Sequence, residues 1–168
     1  SVKYIDDFAF AGSAVGKINL ENVDYIDGNA FEGCAQLTSV TLTAEVVYSK
    51  AFLNCTGLEE IKLDGTKFIN SNVFQGCISL TSVTVPASVI ALKAEAFKDC
   101  TRLETAEVNV GNLNGTVSSS GTAGNGWFKG CTSLKSVTFA DGLLRLENYL
   151  FEGCTSLTTI KLPATLQR

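Results

Sequence analysis

Apolar and polar residues alternate in short segments that recur along the whole chain. The segment Ser39-Val40-Thr41-Leu42-Thr43 is typical, because every second side chain in it is apolar. This alternation predicts a half-buried β-strand, in which successive side chains point to opposite faces. Similar segments run over residues 17–21, 60–64, 82–86, 136–140 and 159–163. The pattern therefore predicts one short strand in each of a series of repeated units.

Phenylalanine gives the period of this repetition. Seven phenylalanines follow one another at intervals of 21, 21, 22, 23, 31 and 23 residues, namely Phe10, Phe31, Phe52, Phe74, Phe97, Phe128 and Phe151. A repeat of this length is the signature of a solenoid, whose units stack because none can bury its apolar face alone. We therefore predict about seven stacked repeats, with these phenylalanines as a structural column of the core and the strands paired in one parallel β-sheet.

A second column predicts how each repeat turns. Two residues after each phenylalanine stand residues that tolerate the left-handed backbone conformation, namely Gly12, Gly33, Asn54, Gly76, Asp99, Gly130 and Gly153. We expect a tight turn there, which closes a short helical or 3-10 segment around the phenylalanine. The predicted fold class is thus a repeat solenoid of strands, turns and short helical segments.

The cysteines form a third column, three residues after the phenylalanine in every copy except the first. They are Cys34, Cys55, Cys77, Cys100, Cys131 and Cys154. One interpretation is a ladder of buried free thiols that belongs to the structural core. The other is disulfides between neighbouring repeats, whose Cα atoms could lie within the range for such a bond. The shared register favours the thiols, because inward side chains that run in parallel would bridge only with local distortion.

Composition narrows the classes of function. The chain has 168 residues, of which 45% are hydrophobic, and a net charge of −4 that argues against binding to nucleic acid. It contains no histidine, which removes the usual acid–base pairs for a nucleophile and the imidazole ligands of metals. The carboxylates are scattered and do not converge on a cleft. We therefore predict no catalytic residue, no metal ligand and no cofactor.

One part of the chain departs from the repeat. The interval between Cys100 and Cys131 is longer than the others, and its extra residues lie in the Gly/Ser/Asn-rich segment near residues 111–126. Such a segment is predicted to leave one flank of the solenoid. It is either a loop that contacts a ligand or a tolerated insertion without function.

Two outward-facing columns are candidates for partner binding. The first precedes an inward column by one residue and is apolar in four successive copies, namely Tyr4, Tyr25, Val46 and Phe68. Exposed apolar stripes often mark interaction sites. The second candidate is the polar face of the predicted strands, where Glu60, Lys62 and Glu107 carry charges among serines and threonines. The alternatives are that the apolar stripe packs under its own loop, or against a neighbouring molecule only in a crystal, and that the polar face is a solvated sheet face without a partner.

The repeat itself resembles a known family. The block Ala30-Phe31-Glu32-Gly33-Cys34, followed by Leu37-Thr38-Ser39-Val40-Thr41-Leu42, is similar to the repeat of BspA-like leucine-rich repeat proteins from bacterial and protozoan surfaces. Pro86 and Pro163 also match it, whereas Ser13 and Ala106 depart from it. The resemblance implies a right-handed leucine-rich-repeat superhelix, and often an adhesin that binds host matrix or plasma proteins.

The expected function follows from these observations together. We predict a non-catalytic binding module, located at the cell surface or secreted, whose partner is an extracellular matrix protein or another surface protein. The alternative is a structural spacer or a self-associating domain of a longer surface protein. Residues 1–168 are expected to be one array, truncated within repeats at both ends, and without an apolar run of about 18 residues that could span a membrane.

Overall fold

The computed structural model describes residues 2–110, 126–146 and 148–166. Its strands are of two kinds, because five contain two residues and the others contain three or four. In chain order they are β1 (Tyr4–Ile5), β2 (Tyr25–Ile26), β3 (Ser39–Thr41), β4 (Val46–Val47), β5 (Glu60–Lys62), β6 (Phe68–Ile69), β7 (Ser82–Val85), β8 (Ala91–Leu92), β9 (Thr105–Val108), β10 (Ser136–Phe139) and β11 (Thr159–Lys161).

All strand pairs are parallel, and each strand pairs with the equivalent strand of a neighbouring repeat. The two-residue strands form one sheet in the order β1-β2-β4-β6-β8, which we call the short-strand sheet. The longer strands form a second face, which we call the long-strand face, with pairings β3-β5 and β11-β10-β9-β7. The predicted solenoid is thus confirmed. The prediction of a single sheet is wrong. The short-strand sheet was not predicted, because two-residue strands are too short to show an alternating pattern in sequence.

The predicted helical segments are instead a series of tight turns. Around Phe31, the amides of Ala30, Glu32 and Cys34 donate to carbonyls three residues earlier, at 3.0–3.4 Å. The intervening amides donate to the next repeat, as Phe31 N does to Ala51 O at 2.7 Å. A helix needs every amide to bond within the segment and every φ to be negative. Neither condition is met, so the turns contribute to stacking as the strands do.

The left-handed turn column is confirmed at all seven positions, with φ between 57° and 78°. A second left-handed column, two residues before the phenylalanines, was not predicted. It comprises Phe8, Asn29, Lys50, Asn72, Glu95 and Tyr149, with φ between 56° and 63°. Only its asparagines signal such a conformation in sequence.

The phenylalanine column forms the centre of the core. Neighbouring rings stack almost in parallel from Phe10 to Phe151, with centroids 5.0–6.1 Å apart and planes tilted by 2–16°. The five central rings are fully buried, and Phe10 and Phe151 at the two ends of the column are partly buried. Inward residues of the short-strand sheet and of the long-strand face pack against this column in one hydrophobic cluster.

The cysteines are free thiols, and each extends toward the preceding repeat. The Sγ of Cys55 donates to Phe31 O at 3.0 Å, and the Sγ of Cys100 donates to Phe74 O at 3.2 Å. The same bond forms at the other four cysteines, and in the first copy Ser13 Oγ lies 3.6 Å from Cys34 Sγ. Apart from Gly126, the insertion near residues 111–126 lies outside the described residues.

Among the described residues, one inward position carries a hydroxyl group that the core does not satisfy, and the indole Nε1 of Trp127 also has no partner. Thr66 is fully buried in a column whose other members include Val23, Ala44 and Val89. Among the described residues, its Oγ1 has no hydrogen-bond partner. An unsatisfied buried hydroxyl costs about 1–3 kcal/mol. We expect Thr66→Val, which keeps the shape and removes the hydroxyl, to raise the free energy of unfolding by about that amount in urea titrations.

Thr43→Val is the matched control for this prediction. The hydroxyl of Thr43 donates to Leu20 O at 3.2 Å, so its removal deletes a hydrogen bond. We expect this variant to be no more stable than the wild type. Equal increases in the free energy of unfolding of both variants would mean that β-branched apolar residues stabilise the array wherever they are placed. That result would contradict the explanation given for Thr66.

Candidate functional site

The apolar column lies on the outer side of the short-strand sheet. The strand register aligns Tyr4 with Tyr25, Tyr25 with Val46, and Val46 with Phe68. Tyr4 and Tyr25 stack with centroids 5.1 Å apart, and 64% of Tyr4 is exposed. Tyr25, Val46 and Phe68 are partly buried, and the next residue of the column, Ala91, is buried. The structure therefore places these four residues in one continuous stripe, which is most exposed at Tyr4.

A column of charges borders this stripe on one side. Lys3 pairs with Asp24 at 3.2 Å, and Lys67 pairs with Glu45 at 3.1 Å. Both pairs join neighbouring repeats on the surface, where an ion pair contributes at most about 1 kcal/mol. The pairs neutralise this border of the stripe.

A pocket borders the stripe on its other side. It has a volume of about 440 Å³ and spans three successive repeats. Asp7 lines it from the first repeat, Asp27 and Gly28 from the second, and Tyr48 and Lys50 from the third. Asn29 and Ser49 complete the lining. We call this site the Asp–Tyr pocket. The expectation that the carboxylates do not converge on a cleft is wrong here, because Asp7 and Asp27 line one pocket from different registers of neighbouring repeats.

The carboxylates at the Asp–Tyr pocket repel one another. Partial burial raises the pKa of Asp27 above its usual value, and the negative charges of Asp7 and then Asp6 raise it further. Among the described residues, no ion pair includes Asp6, Asp7 or Asp27. This end of the short-strand sheet therefore carries three carboxylates without an ion-pair partner, beside the exposed Tyr4 and Tyr48.

The second candidate set lies on the other face of the solenoid. Glu60 and Lys62 project from β5 and pair with each other at 3.3 Å, whereas Glu107 projects from β9. The register of β7 with β9 aligns Glu107 with Thr84. These charges belong to the long-strand face, so the structure does not bring them together with the apolar stripe.

The long-strand face is interrupted beside Glu60 and Lys62. Within the described residues, no ladder joins β5 to β7, although they belong to successive repeats. At the same rung, Phe52 and Phe74 have the largest tilt of the stack, 16°, and the thiol bond from Cys77 to Phe52 O is the longest, 3.4 Å. A groove of about 440 Å³ opens there, lined by Glu60, Lys62, Asp64, Ser82 and Thr84 among others.

The cysteines and carboxylates of the described residues form no metal-binding cluster. Across the residues that the structure describes, no group of three or more cysteines, aspartates and glutamates is arranged to hold a metal ion. Cys55, Cys77 and Cys100 are held as thiols, since burial raises the pKa of Cys55 to about 12 and raises those of Cys77 and Cys100 as well. In the same part of the chain, no helix is long and apolar enough to cross a membrane.

Comparisons with known proteins agree with this architecture. The profile of the BspA type leucine rich repeat region matches six copies, over residues 1–104 and 112–168. A leucine-rich repeat protein of T. pallidum is similar in structure, with a TM-score of 0.64 and 28% identity, over 89% of this chain and 68% of that one.

Two further solved structures are similar over shorter shares of their own length. One from Bacteroides ovatus has a TM-score of 0.56 and 26% identity, over 86% of this chain and 42% of that one. A leucine rich cell surface protein from Faecalibacterium prausnitzii has a TM-score of 0.51 and 22% identity, over 86% of this chain and 30% of that one. No curated protein gives a significant match. This chain thus spans less than half the length of those two structures.

Proposed function

This chain belongs to the BspA-type leucine-rich repeat family, and from that membership we propose that it is a non-catalytic module that binds a protein partner at the cell surface or after secretion. The family and its structural relatives are generally repeat proteins without catalytic activity. A surface location is proposed because the F. prausnitzii relative is a cell surface protein.

The observation that supports binding most directly is the apolar stripe of Tyr4, Tyr25, Val46 and Phe68. The strand register holds it in line across four repeats, above a buried hydrophobic core. A partner that covers the stripe would bury aromatic side chains at a low cost in conformational entropy, because the repeats already fix them. Aromatic anchors of this kind dominate the energy of many interfaces.

The long-strand face contributes a second, polar surface to the proposal. Glu60, Lys62 and Glu107 project from it together with serine and threonine hydroxyl groups. Paired surface charges contribute little to affinity but favour one partner over another. We therefore propose that the stripe provides most of the affinity and that these charges influence which partners are accepted. The proposed partners are extracellular matrix proteins or other surface proteins.

Binding to immobilised matrix and plasma proteins tests the proposal. We expect saturable binding of the wild-type chain to at least one of them, and a loss of about tenfold or more in affinity for the double variant Tyr25→Ser/Phe68→Ser, because interface aromatics commonly contribute 2 kcal/mol or more. Ile78→Ser/Tyr149→Ser, which changes two exposed apolar residues outside the stripe and the long strands, is the matched control and is expected to bind within about twofold of wild type, since surface changes away from an interface have little effect.

Light scattering on the same samples separates binding from the alternative function. A structural spacer or self-associating domain would form oligomers at rising concentration without saturable binding to any partner. That result, or unchanged binding of Tyr25→Ser/Phe68→Ser, would contradict the proposed role of the stripe.

A further inference from the structure

We propose that the partner of the short-strand sheet presents a basic segment, and that one of its arginine side chains enters the Asp–Tyr pocket while neighbouring apolar residues cover the stripe. This inference rests on the protein-binding function proposed above and names the chemistry of the partner.

The pocket and the stripe open on the same side of the sheet. Asp27 follows Tyr25 by two residues and Tyr48 follows Val46 by two, and side chains two apart on a strand share a face. The parallel pairing continues through these residues, because Asp27 N donates to Ile5 O and Tyr48 N donates to Ile26 O, each at 2.9 Å. A single extended segment can therefore contact both.

The charges at this end of the sheet favour a cation. The bordering ion pairs of Lys3 with Asp24 and of Lys67 with Glu45 already neutralise their own column. Asp6, Asp7 and Asp27 have no such partner among the described residues. A guanidinium between Asp7 and Asp27 would relieve their repulsion and form charge-assisted hydrogen bonds. An anionic segment would meet three carboxylates, against which Lys50 supplies one positive charge.

The remaining lining residues suit a planar cation. Tyr48 is 42% exposed and offers a ring face, on which a guanidinium stacks more readily than an ammonium does. Gly28 keeps the floor of the pocket open, since a Cβ at this position would lie 3.0 Å from Asp7 Oδ1 and 3.3 Å from Ser49 O. Lys50 also lines the pocket, but from the third repeat, two repeats away from Asp7.

The inference is tested with short fluorescein-labelled peptides of arginine, leucine and glycine, and with matched peptides in which citrulline or glutamate replaces arginine. Fluorescence anisotropy is expected to show binding of the arginine peptide, weaker binding of the citrulline peptide and none of the glutamate peptide. Asp7→Asn/Asp27→Asn is expected to weaken the affinity for the arginine peptide by about tenfold, because two ion pairs are lost.

Three further variants separate the pocket from general electrostatic attraction. Glu59→Gln/Asp64→Asn changes the net charge by the same amount on the long-strand face, and it is expected to leave affinity within about twofold of wild type. Gly28→Ala narrows the pocket without a change in charge and is expected to weaken binding. Lys50→Asn removes a cation that competes with the arginine side chain. This variant is expected to bind the peptide about two- to threefold more tightly, which is the usual size of a surface charge interaction.

Several results would overturn the inference. They are the absence of arginine-peptide binding, equal losses in the two charge-neutralised double variants, or equal binding of the glutamate peptide. Self-association of the chain that Asp7→Asn/Asp27→Asn abolishes would assign the pocket to a second copy instead. If the arginine peptide does not bind, but Tyr25→Ser/Phe68→Ser still has a lower affinity for a matrix protein than the wild type, the inference is wrong and the proposed function is supported.

Discussion

Replacing Phe74 by alanine is expected to lower the free energy of unfolding by about 3–5 kcal/mol. Phe74 is fully buried, and its ring stacks between Phe52, at 5.6 Å, and Phe97, at 5.4 Å. The variant loses the transfer energy of the ring and the contacts of both neighbours. The hydrogen bonds of the flanking turns, such as Phe74 N to Ala96 O at 2.8 Å, resist collapse into the cavity. Urea titration followed by circular dichroism measures the loss.

Phe8→Ala is the matched control for this expectation. Phe8 is 59% exposed and does not belong to the stacked column. An exposed substitution of this kind changes stability by about 0.5 kcal/mol or less. Similar losses for the two variants would mean that the stacked column is not the principal source of stability. If Phe74→Ala lowers the free energy of unfolding only slightly, the repeats repack around the cavity.

A rise in pH above about 9 is expected to destabilise the protein strongly. Burial is the main cause that raises the pKa of Cys55 to about 12 from 9.0, and it raises those of Cys77, Cys100 and Cys131 too. Thiols of the unfolded chain ionise near 9.0, while these folded thiols keep their protons. Ionisation therefore lowers the free energy of the unfolded state relative to the folded state, and stability falls by about 1.4 kcal/mol per pH unit for each thiol.

The sum over the buried thiols gives this effect its size. Four thiols would lower the free energy of unfolding by about 10 kcal/mol between about pH 9 and pH 11, and at Cys55 the loss continues up to its folded pKa of about 12. Below about pH 8 both states hold the protons, so no such slope is expected. Urea titrations at pH 8, 9 and 10, with a reductant present, measure the slope.

Cys77→Ser tests whether the thiols cause the slope. Serine does not ionise in this range, and a serine already stands at this register in the first repeat, as Ser13. The hydroxyl retains a donor for Phe52 O, so the variant is expected to fold and to show a slope smaller by the contribution of one thiol. An unchanged slope would contradict the prediction. A thiol titration in denaturant provides an independent check, because disulfides would leave fewer than six reactive groups.

Most of the fold was predictable from sequence because the repeat multiplies each weak signal. One alternating segment such as Ser39-Val40-Thr41 is ambiguous, whereas the same pattern in register with a phenylalanine column is not. The short-strand sheet was missed as a sheet because β1, β2 and β4 contain two residues each. The helical segments were predicted wrongly because the second left-handed column carries lysine, glutamate and aromatic residues, which give no local sign of that conformation.

The candidate site was predictable only in part. Tyr4, Tyr25, Val46 and Phe68 could be aligned from the period alone, since parallel stacking turns equal register into spatial adjacency. The Asp–Tyr pocket could not be found in this way. Its lining residues occupy different registers of three repeats. The space that Gly28 leaves between them cannot be predicted from a sequence pattern.

By itself, the sequence determined the solenoid, its period, the phenylalanine and cysteine columns and the absence of histidine chemistry. These properties follow from residue types at fixed spacing, because parallel stacking places residues of equal register next to one another. Tertiary structure alone decided that the apolar stripe and the charges of Glu60, Lys62 and Glu107 lie on different faces, and that β5 and β7 separate over a groove. The path of the backbone between the two faces and the tilt between successive repeats produce these features, and neither is encoded in the spacing of any one column.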